Sequence, residues 1–370
     1  MKIGIVYLGR RGAGGPISYQ LAQHLYKQAH VLAVVSSFAE NLSVWRNGSI
    51  PLIEVPTFTS PRQVIGATLN LPRQRRMLRL IEREKLDVLF FPMLHWWVPV
   101  IQVGLRHIPN VVTIHDPEPH PGMRGRAEWQ FQRICLQLAT RCVVPSKCFV
   151  LTLEHLGIPR EKIDVIPLGE LTSYYSRQSD HTHVFDLSQP TILFFGRIAP
   201  YKGLDVLFRA FARIEKEANA RLLVVGAGDL KPYRHLMETL SRVQVVNEWI
   251  PDDQIEHYFH QAQIVVAPYT SATQSGVIAI ASGMGIPVIA ARTGGMSEQI
   301  EHGKTGILVA PGSVEDLAQW CLRLLNDRAF ADTLARQARA VAQDAFGWDN
   351  IAEQVLASCQ RAMESPHRVG

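Results

Sequence analysis

Short apolar runs of β type alternate with helix-type segments along almost the whole of this 370-residue chain, and that alternation restricts it to a parallel α/β architecture. In the first half, strands are expected at KIGIVYL, HVLAVVSS, LDVLFFPML, NVVTIHD, RCVVPS and KIDVIPLG, with helices over 16–28, 71–85 and 127–139 among them. A polar stretch without periodicity, LTSYYSRQSDHTHVFDLSQP at 171–190, then reads as a linker. The pattern restarts with strands at TILFFGR, ARLLVVGAG, QVVNEWI, AQIVVAPY, IPVIAAR and GILVA, and helices over 203–217, 230–241, 252–261, 276–284 and 314–326. An amphipathic helix over roughly 349–363 follows a Phe-Gly-Trp segment at 346–348. The expected fold is therefore two doubly wound, Rossmann-like domains, 1–170 and 191–345, facing each other across a cleft. The 346–370 segment is left to pack back on the first domain.

The length agrees with two cores rather than one. No apolar run reaches the 18 or so residues of a membrane span, and the first apolar run is too short for a secretion signal. The five cysteines, 135, 142, 148, 321 and 359, are odd in number and lack CxxC spacing, so they read as free thiols. A cytoplasmic protein is expected. Charge is uneven: residues 1–170 hold 20 Lys and Arg against 12 Asp and Glu, whereas 171–370 hold 18 against 21. The densest basic stretch, LPRQRRMLRLIEREK at 71–85, sets Arg73, Arg75, Arg76, Arg79 and Arg83 on a helix with Leu71, Met77, Leu78 and Ile81 as apolar anchors. Such a half suits peripheral contact with an anionic inner membrane surface or an anionic acceptor, and equally a plain solvated face. Nucleic acid is not expected, since no aromatic-basic interleaving is present.

Two segments of the second half carry the chemistry. ILFFGRIAPYKG at 192–203 puts Arg197 and Lys202 just past an apolar strand, and QSGVIAIASGMGIPVIA at 274–290 runs a Ser-Gly turn into a small-residue helix. Two fixed cations near a helix N-terminus, with its unpaired N–H groups and partial positive charge, make a site for a diphosphate. A diphosphate is the leaving group of nucleotide-sugar chemistry. In the first half, Gly12-Ala13-Gly14-Gly15 precedes a helix, and glycines there let backbone approach a ligand. The strand VVTIHD ends in His115 and Asp116. Trp96 and Trp97, at another strand end, suit stacking on a sugar, contact with lipid, or core packing. No D-x-D tripeptide or carboxylate cluster calls for a metal, and Asp252-Asp253 reads as a helix cap.

In order and spacing these segments resemble the retaining, GT-B-fold glycosyltransferases of family 4, over nearly the whole chain. Gly196, Arg197, Lys202 and Gly203 resemble the family's GRxxxxKG donor-phosphate string. VVGAGDL, with Gly226, NEWIPDDQIEHYFHQAQIVVAPY, with Ile250, and GIPVIAARTGGMSEQIEHGKTGILV are similar to the segments expected after it. The resemblance implies donor contacts from Gly14, Gly15, Gly196, Arg197, Lys202, Gly226, Ile250, Thr273, Gln274, Ser275, Gly276 and Val277. It implies catalysis by Arg197 and Lys202, with His115 near the reacting carbon, and neither metal nor cofactor. The donor would be a nucleotide-diphosphate sugar and the acceptor a sugar or lipid-linked hydroxyl, in polysaccharide, glycolipid or small-glycoside synthesis.

One departure stands out. Many members carry two glutamates eight positions apart around the donor turn; here those positions fall on Ala272 and Ile280, or on Thr273 and Ala281 in the other register. Ribose contacts then fall to Thr273, Gln274, Ser275 or backbone. The departure keeps open a non-catalytic GT-B subunit that binds nucleotide-sugar or a partner transferase. A sugar-nucleotide epimerase is a weaker alternative, and a dehydrogenase lacks its GxGxxG.

Overall fold

The structure, a computed structural model, describes residues 1–118, 126–176 and 189–365. Two compact units account for them: one combines 1–118, 126–167 and 348–365, the other 168–176 and 189–347.

The first unit is built on a parallel seven-stranded sheet in the order β3-β2-β1-β4-β5-β6-β7. Its strands are β1 (Lys2–Tyr7), β2 (His30–Ser36), β3 (Leu52–Val55), β4 (Val88–Phe91), β5 (Asn110–Thr113), β6 (Arg141–Val144) and β7 (Ile163–Val165). β4 and β6 are buried along their whole length, as expected of parallel strands covered on both faces. β3 is an addition to the sequence expectation. Its LIEV run is broken by Glu54, which faces out to a bidentate pair with Arg46, and Pro51 and Pro56 bracket it. Such a run suits a sheet edge, where one side needs no partner.

The last helix, Trp348–Glu364, packs in this unit against the helix Gly14–Tyr26 and against β4 and β5. Asp164 of β7 clamps it. Its carboxylate accepts from Arg141 Nε and Nη2 at 2.8 and 2.9 Å, from Ser358 Oγ at 2.6 Å and from Arg361 Nη2 at 2.9 Å. Burial opposes ionisation of Asp164, but the bonds from Arg141 and Ser358 and the charges of Arg141 and Arg361 outweigh it and hold the carboxyl below the ordinary aspartate range. Asp164→Ala leaves a buried guanidinium uncompensated and is expected to cost about 3–5 kcal/mol in chemical denaturation. A carboxyl depressed in the folded state stabilises fully above its unfolded value of about 3.9 and loses that contribution as pH falls below it. The difference between wild type and variant should therefore shrink below about pH 4.

The second unit carries a parallel six-stranded sheet in the order β10-β9-β8-β11-β12-β13. The strands are β8 (Thr191–Phe195), β9 (Arg221–Val225), β10 (Val243–Val246), β11 (Ile264–Ala267), β12 (Val288–Ala291) and β13 (Ile307–Val309), each in one of the six expected runs except that β10 starts one residue before QVVNEWI. The helices Leu204–Glu217, Asp252–His260, Gly276–Met284 and Val314–Asn326 stand where the periodicity puts them. The expected helix over 230–241 is shorter: a 3-10 turn, Lys231–Tyr233, containing Pro232, opens a single turn at Arg234–Met237. Helix Arg328–Asp344 is new, and its buried face is mostly alanine: Ala331, Leu334, Ala335, Ala338 and Ala342. The start of the expected linker, Leu171 with helix Thr172–Tyr175, is ordered in this unit, with Leu171, Tyr174 and Tyr175 buried. Residues 177–188, the bulk of that expectation, lie outside the described residues. Pro251, not an aspartate, is the cap before Asp252, whose carboxylate instead accepts from Tyr174 Oη at 3.2 Å.

Candidate donor site

In each sheet the chain starts centrally, runs to one edge, then returns to the other side of its first strand. The reversal leaves a crevice at the carboxyl ends of the two central strands. In the second unit these are β8 and β11. Arg197 and Lys202 lie on the loop after β8, and Thr273, Gln274, Ser275, Gly276 and Val277 on the loop and helix start after β11.

Backbone contacts weld these loops. The Thr270 N–H donates to the Tyr201 carbonyl at 2.8 Å. Gly203, at φ 68°, ends the turn Pro200–Lys202, and a Cβ there would collide with the Pro268 carbonyl oxygen. On the other side, the Gly196 and Ile198 N–H groups donate to the Val225 and Ala227 carbonyls, at 2.9 Å each. Gly226, at φ 139°, sits so close to the Gly196 carbonyl that no side chain fits. A Cβ placed on Gly196 would come within 3.9 Å of Val277 Cγ2, in the first turn of helix Gly276–Met284. Ile250 is buried between β10 and the helix at Asp252. The donor residues expected in this half thus gather on adjoining loops at one end of one sheet.

Tyr269, not singled out in the sequence, links the two cationic and helical parts. It is fully buried, and the Lys202 ammonium lies 3.6 Å from its ring centroid, a cation–π arrangement that aims the otherwise mobile side chain. Burial pushes its phenol up to about 12, the neighbouring Ser275 hydroxyl offsetting part of that. Neither Tyr269 Oη nor Ser275 Oγ completes a hydrogen bond in the structure, so two buried polar atoms meet at the mouth of the helix. Gln299 fixes the turn: its Oε1 accepts from the Ser275 N–H at 2.8 Å and its Nε2 donates to the Ser275 carbonyl at 3.2 Å. The Leu168 N–H donates to Gln274 Oε1 at 2.9 Å. Arg197 is exposed. The resulting arrangement offers a fork of donors, an aimed ammonium and the free N–H groups of a helix start, which is what a diphosphate needs. Ala272, Thr273, Ile280 and Ala281 are all buried, and 268–291 contains no acidic residue.

The first unit has its own reversal, between β1 and β4. Gly14 and Gly15 open the helix after β1. A side chain on Gly14 would meet Met93, and one on Gly15 would meet Asn41. His115 follows β5 and its Nε2 donates to the Pro92 carbonyl at 2.8 Å. A carbonyl only accepts, so the proton sits on Nε2 and a neutral ring offers the lone pair of Nδ1. His95, also unforeseen, stands at the end of β4, stacked on Phe58 at 4.9 Å. Burial lowers it to about 4, and its Nδ1 accepts from the Trp97 N–H at 3.2 Å, so a neutral ring keeps an Nε2 donor. Trp97 is core, with its indole N–H on Thr68 Oγ1 at 2.9 Å, whereas Trp96 is partly exposed against Phe131. Among the described residues, no group of three or more His, Cys, Asp or Glu is placed to hold a metal.

With this geometry in view, residues 189–327 match the family described as Glycosyl transferases group 1, and residues 17–169 match Glycosyltransferase Family 4. The chain is a family 4 glycosyltransferase. Members are retaining hexosyltransferases, and this one uses a nucleotide-sugar donor. An uncharacterized glycosyltransferase of Methanocaldococcus jannaschii is 23% identical over 93% of each chain. A D-inositol 3-phosphate glycosyltransferase of Rhodococcus jostii is 30% identical over 72% of this transferase and 62% of its own length, so the chain spans less than two thirds of that relative. The GT-B fold is that of Anabaena HepE, solved in complex with UDP-glucose, with a TM-score of 0.74, 19% identity and coverage of 98% of this chain and 100% of HepE. No described helix of this family 4 member is long and apolar enough to cross a membrane.

Proposed function

We propose that this transferase moves a sugar, with retention of configuration, from a nucleoside-diphosphate sugar to a hydroxyl of a saccharide or lipid-linked acceptor. The observation that carries this reading is the juxtaposition of Lys202, held on Tyr269, with the Gln299-fixed start of helix Gly276–Met284. Arg197 and Lys202 are the catalytic residues in this reading. As the bond from the anomeric carbon to the diphosphate breaks, negative charge grows on the phosphate oxygens. Preorganised cations and N–H groups stabilise that charge more in the transition state than in the ground state. The acceptor oxygen bonds to the same face of the anomeric carbon, and its proton passes to the departing phosphate oxygen. For the first unit, His115 accepts a hydroxyl of a bound sugar through Nδ1. Gly14, Gly15, Gly196, Gly226, Ile250 and the 273–277 segment complete the donor contacts. The HepE complex supports a uridine donor carrying glucose. Peripheral contact of the basic first unit with an anionic membrane surface fits a lipid-linked acceptor.

The test is transfer of isotopic label from UDP-, GDP-, ADP- and dTDP-sugars into a saccharide and lipid extract, with the product's anomeric configuration read by NMR. Label in a product of retained configuration is expected. An inverted product, or a donor that binds while its sugar never leaves, contradicts the proposal; the second result would favour the non-catalytic subunit.

A further inference from the structure

Helix Val64–Leu69 buries none of its residues, and the sequence-derived anchor Leu71 does not anchor the next helix either. Ile65 is 72% exposed, Leu69 71% and Leu71 60%, three large aliphatic side chains at one corner of the first unit. Ile65 and Leu69 are four residues apart, so they share a helix face. The following helix, Leu71–Glu82, inserts Gln74, Met77 and Ile81 and turns its arginines outward: Arg75, Arg76 and Arg79 are all exposed, with Arg83 just beyond the helix end. Arg73 is the exception, since it donates to the carbonyls of Pro56 and Thr57 and lies over the Trp97 ring. Glu82 is the one exposed acid on this helix, at the end far from the aliphatic corner.

Exposed aliphatics beside a row of arginines are costly in water and suited to one surface, the boundary of an anionic bilayer. There the hydrocarbon enters the acyl region and each guanidinium meets phosphate. A solvated face would carry the arginines without the leucines. A nucleic-acid surface would use the arginines and leave Ile65, Leu69 and Leu71 in water. We propose that the corner formed by helices Val64–Leu69 and Leu71–Glu82 is a peripheral membrane anchor: Ile65, Leu69 and Leu71 insert, while Arg75, Arg76 and Arg79 hold anionic headgroups. The anchor gives residues to the membrane contact suggested above, and its test does not depend on the transfer reaction.

The experiment is sedimentation of the full chain with vesicles of phosphatidylcholine alone or mixed with phosphatidylglycerol, over a salt series. Binding to the anionic vesicles only, weakened by salt, is expected. Each arginine near such a surface contributes about fivefold, so Arg75→Gln/Arg76→Gln should weaken partitioning by more than tenfold. Ile65→Ser/Leu69→Ser should weaken it comparably with all charges retained. Both pairs are exposed, and stabilisation by a nucleoside diphosphate, measured alongside, reports that the variants are folded. Three results overturn the anchor: no binding to anionic vesicles, binding indifferent to the serine pair, or tighter binding to a duplex oligonucleotide that ignores the serine pair. A Lys202→Ala protein should bind vesicles normally, so failure of the donor site and failure of the anchor are separable.

Discussion

Lys202→Ala is expected to lower kcat for nucleotide-sugar turnover by about 10²–10³-fold, the loss that follows removal of one preorganised donor to a developing oxyanion. The side chain is aimed by the face of Tyr269 toward a helix start whose position Gln299 sets, so its charge is in place before the bond breaks. Arg197→Ala should cost a similar factor through loss of the guanidinium fork. The double variant should cost less than the product of the two, because both residues serve the same phosphate charge. Lys202→Arg should recover part of the rate, since it returns charge without the compact geometry. Steady-state kinetics on the four proteins checks this, and a Lys202→Ala enzyme with wild-type kcat contradicts it.

Gly203→Ala should be, with Gly226→Ala, among the most damaging small substitutions in the second unit. Its φ of 68° belongs to the left-handed region, and the added methyl would drive into the Pro268 carbonyl. Backbone strain of about 1–3 kcal/mol and a steric overlap of similar size together predict a loss of about 3–5 kcal/mol. For a unit of this size that lowers the unfolding midpoint by on the order of 10 °C, measurable by calorimetry. The shift also pushes apart the loops after β8 and β11, so donor affinity should fall in the protein that remains folded. A midpoint within a degree of wild type would show that the loops are not welded as described.

Much of the fold was legible because parallel strands buried on both faces read as unbroken apolar runs, and each of the six in the second half is a strand. What escaped did so for local reasons. β3 carries Glu54 in the middle of its short run. Helix Arg328–Asp344 buries mainly alanines, whose small side chains leave a faint periodicity. Pro232 lies in the first turn of the helix foreseen over 230–241, which is reduced to a single turn. Leu71 has the spacing of an anchor, but spacing cannot report that no neighbour covers it.

The candidate site divides in the same way. Arg197, Lys202 and the Ser275-Gly276 turn were visible as cations and glycines in motif order. Tyr269 and Gln299 act through contacts that only the folded chain brings together. Tyr269 closes the AQIVVAPY run, which marked its place at a strand end but not its contact with Lys202. His95 left no such sign. Its fixed tautomer comes from the Trp97 N–H at a strand end.

The most direct test of the donor site is thermal unfolding of the purified protein against UDP, GDP, ADP and dTDP, with Lys202→Ala alongside. A ligand at about 100 times its dissociation constant adds roughly 2.7 kcal/mol, enough to raise the midpoint by several degrees. A rise with one nucleotide that is lost in Lys202→Ala is the predicted result. No rise with any of the four, or a rise that Lys202→Ala retains in full, would contradict a diphosphate site at the ends of β8 and β11.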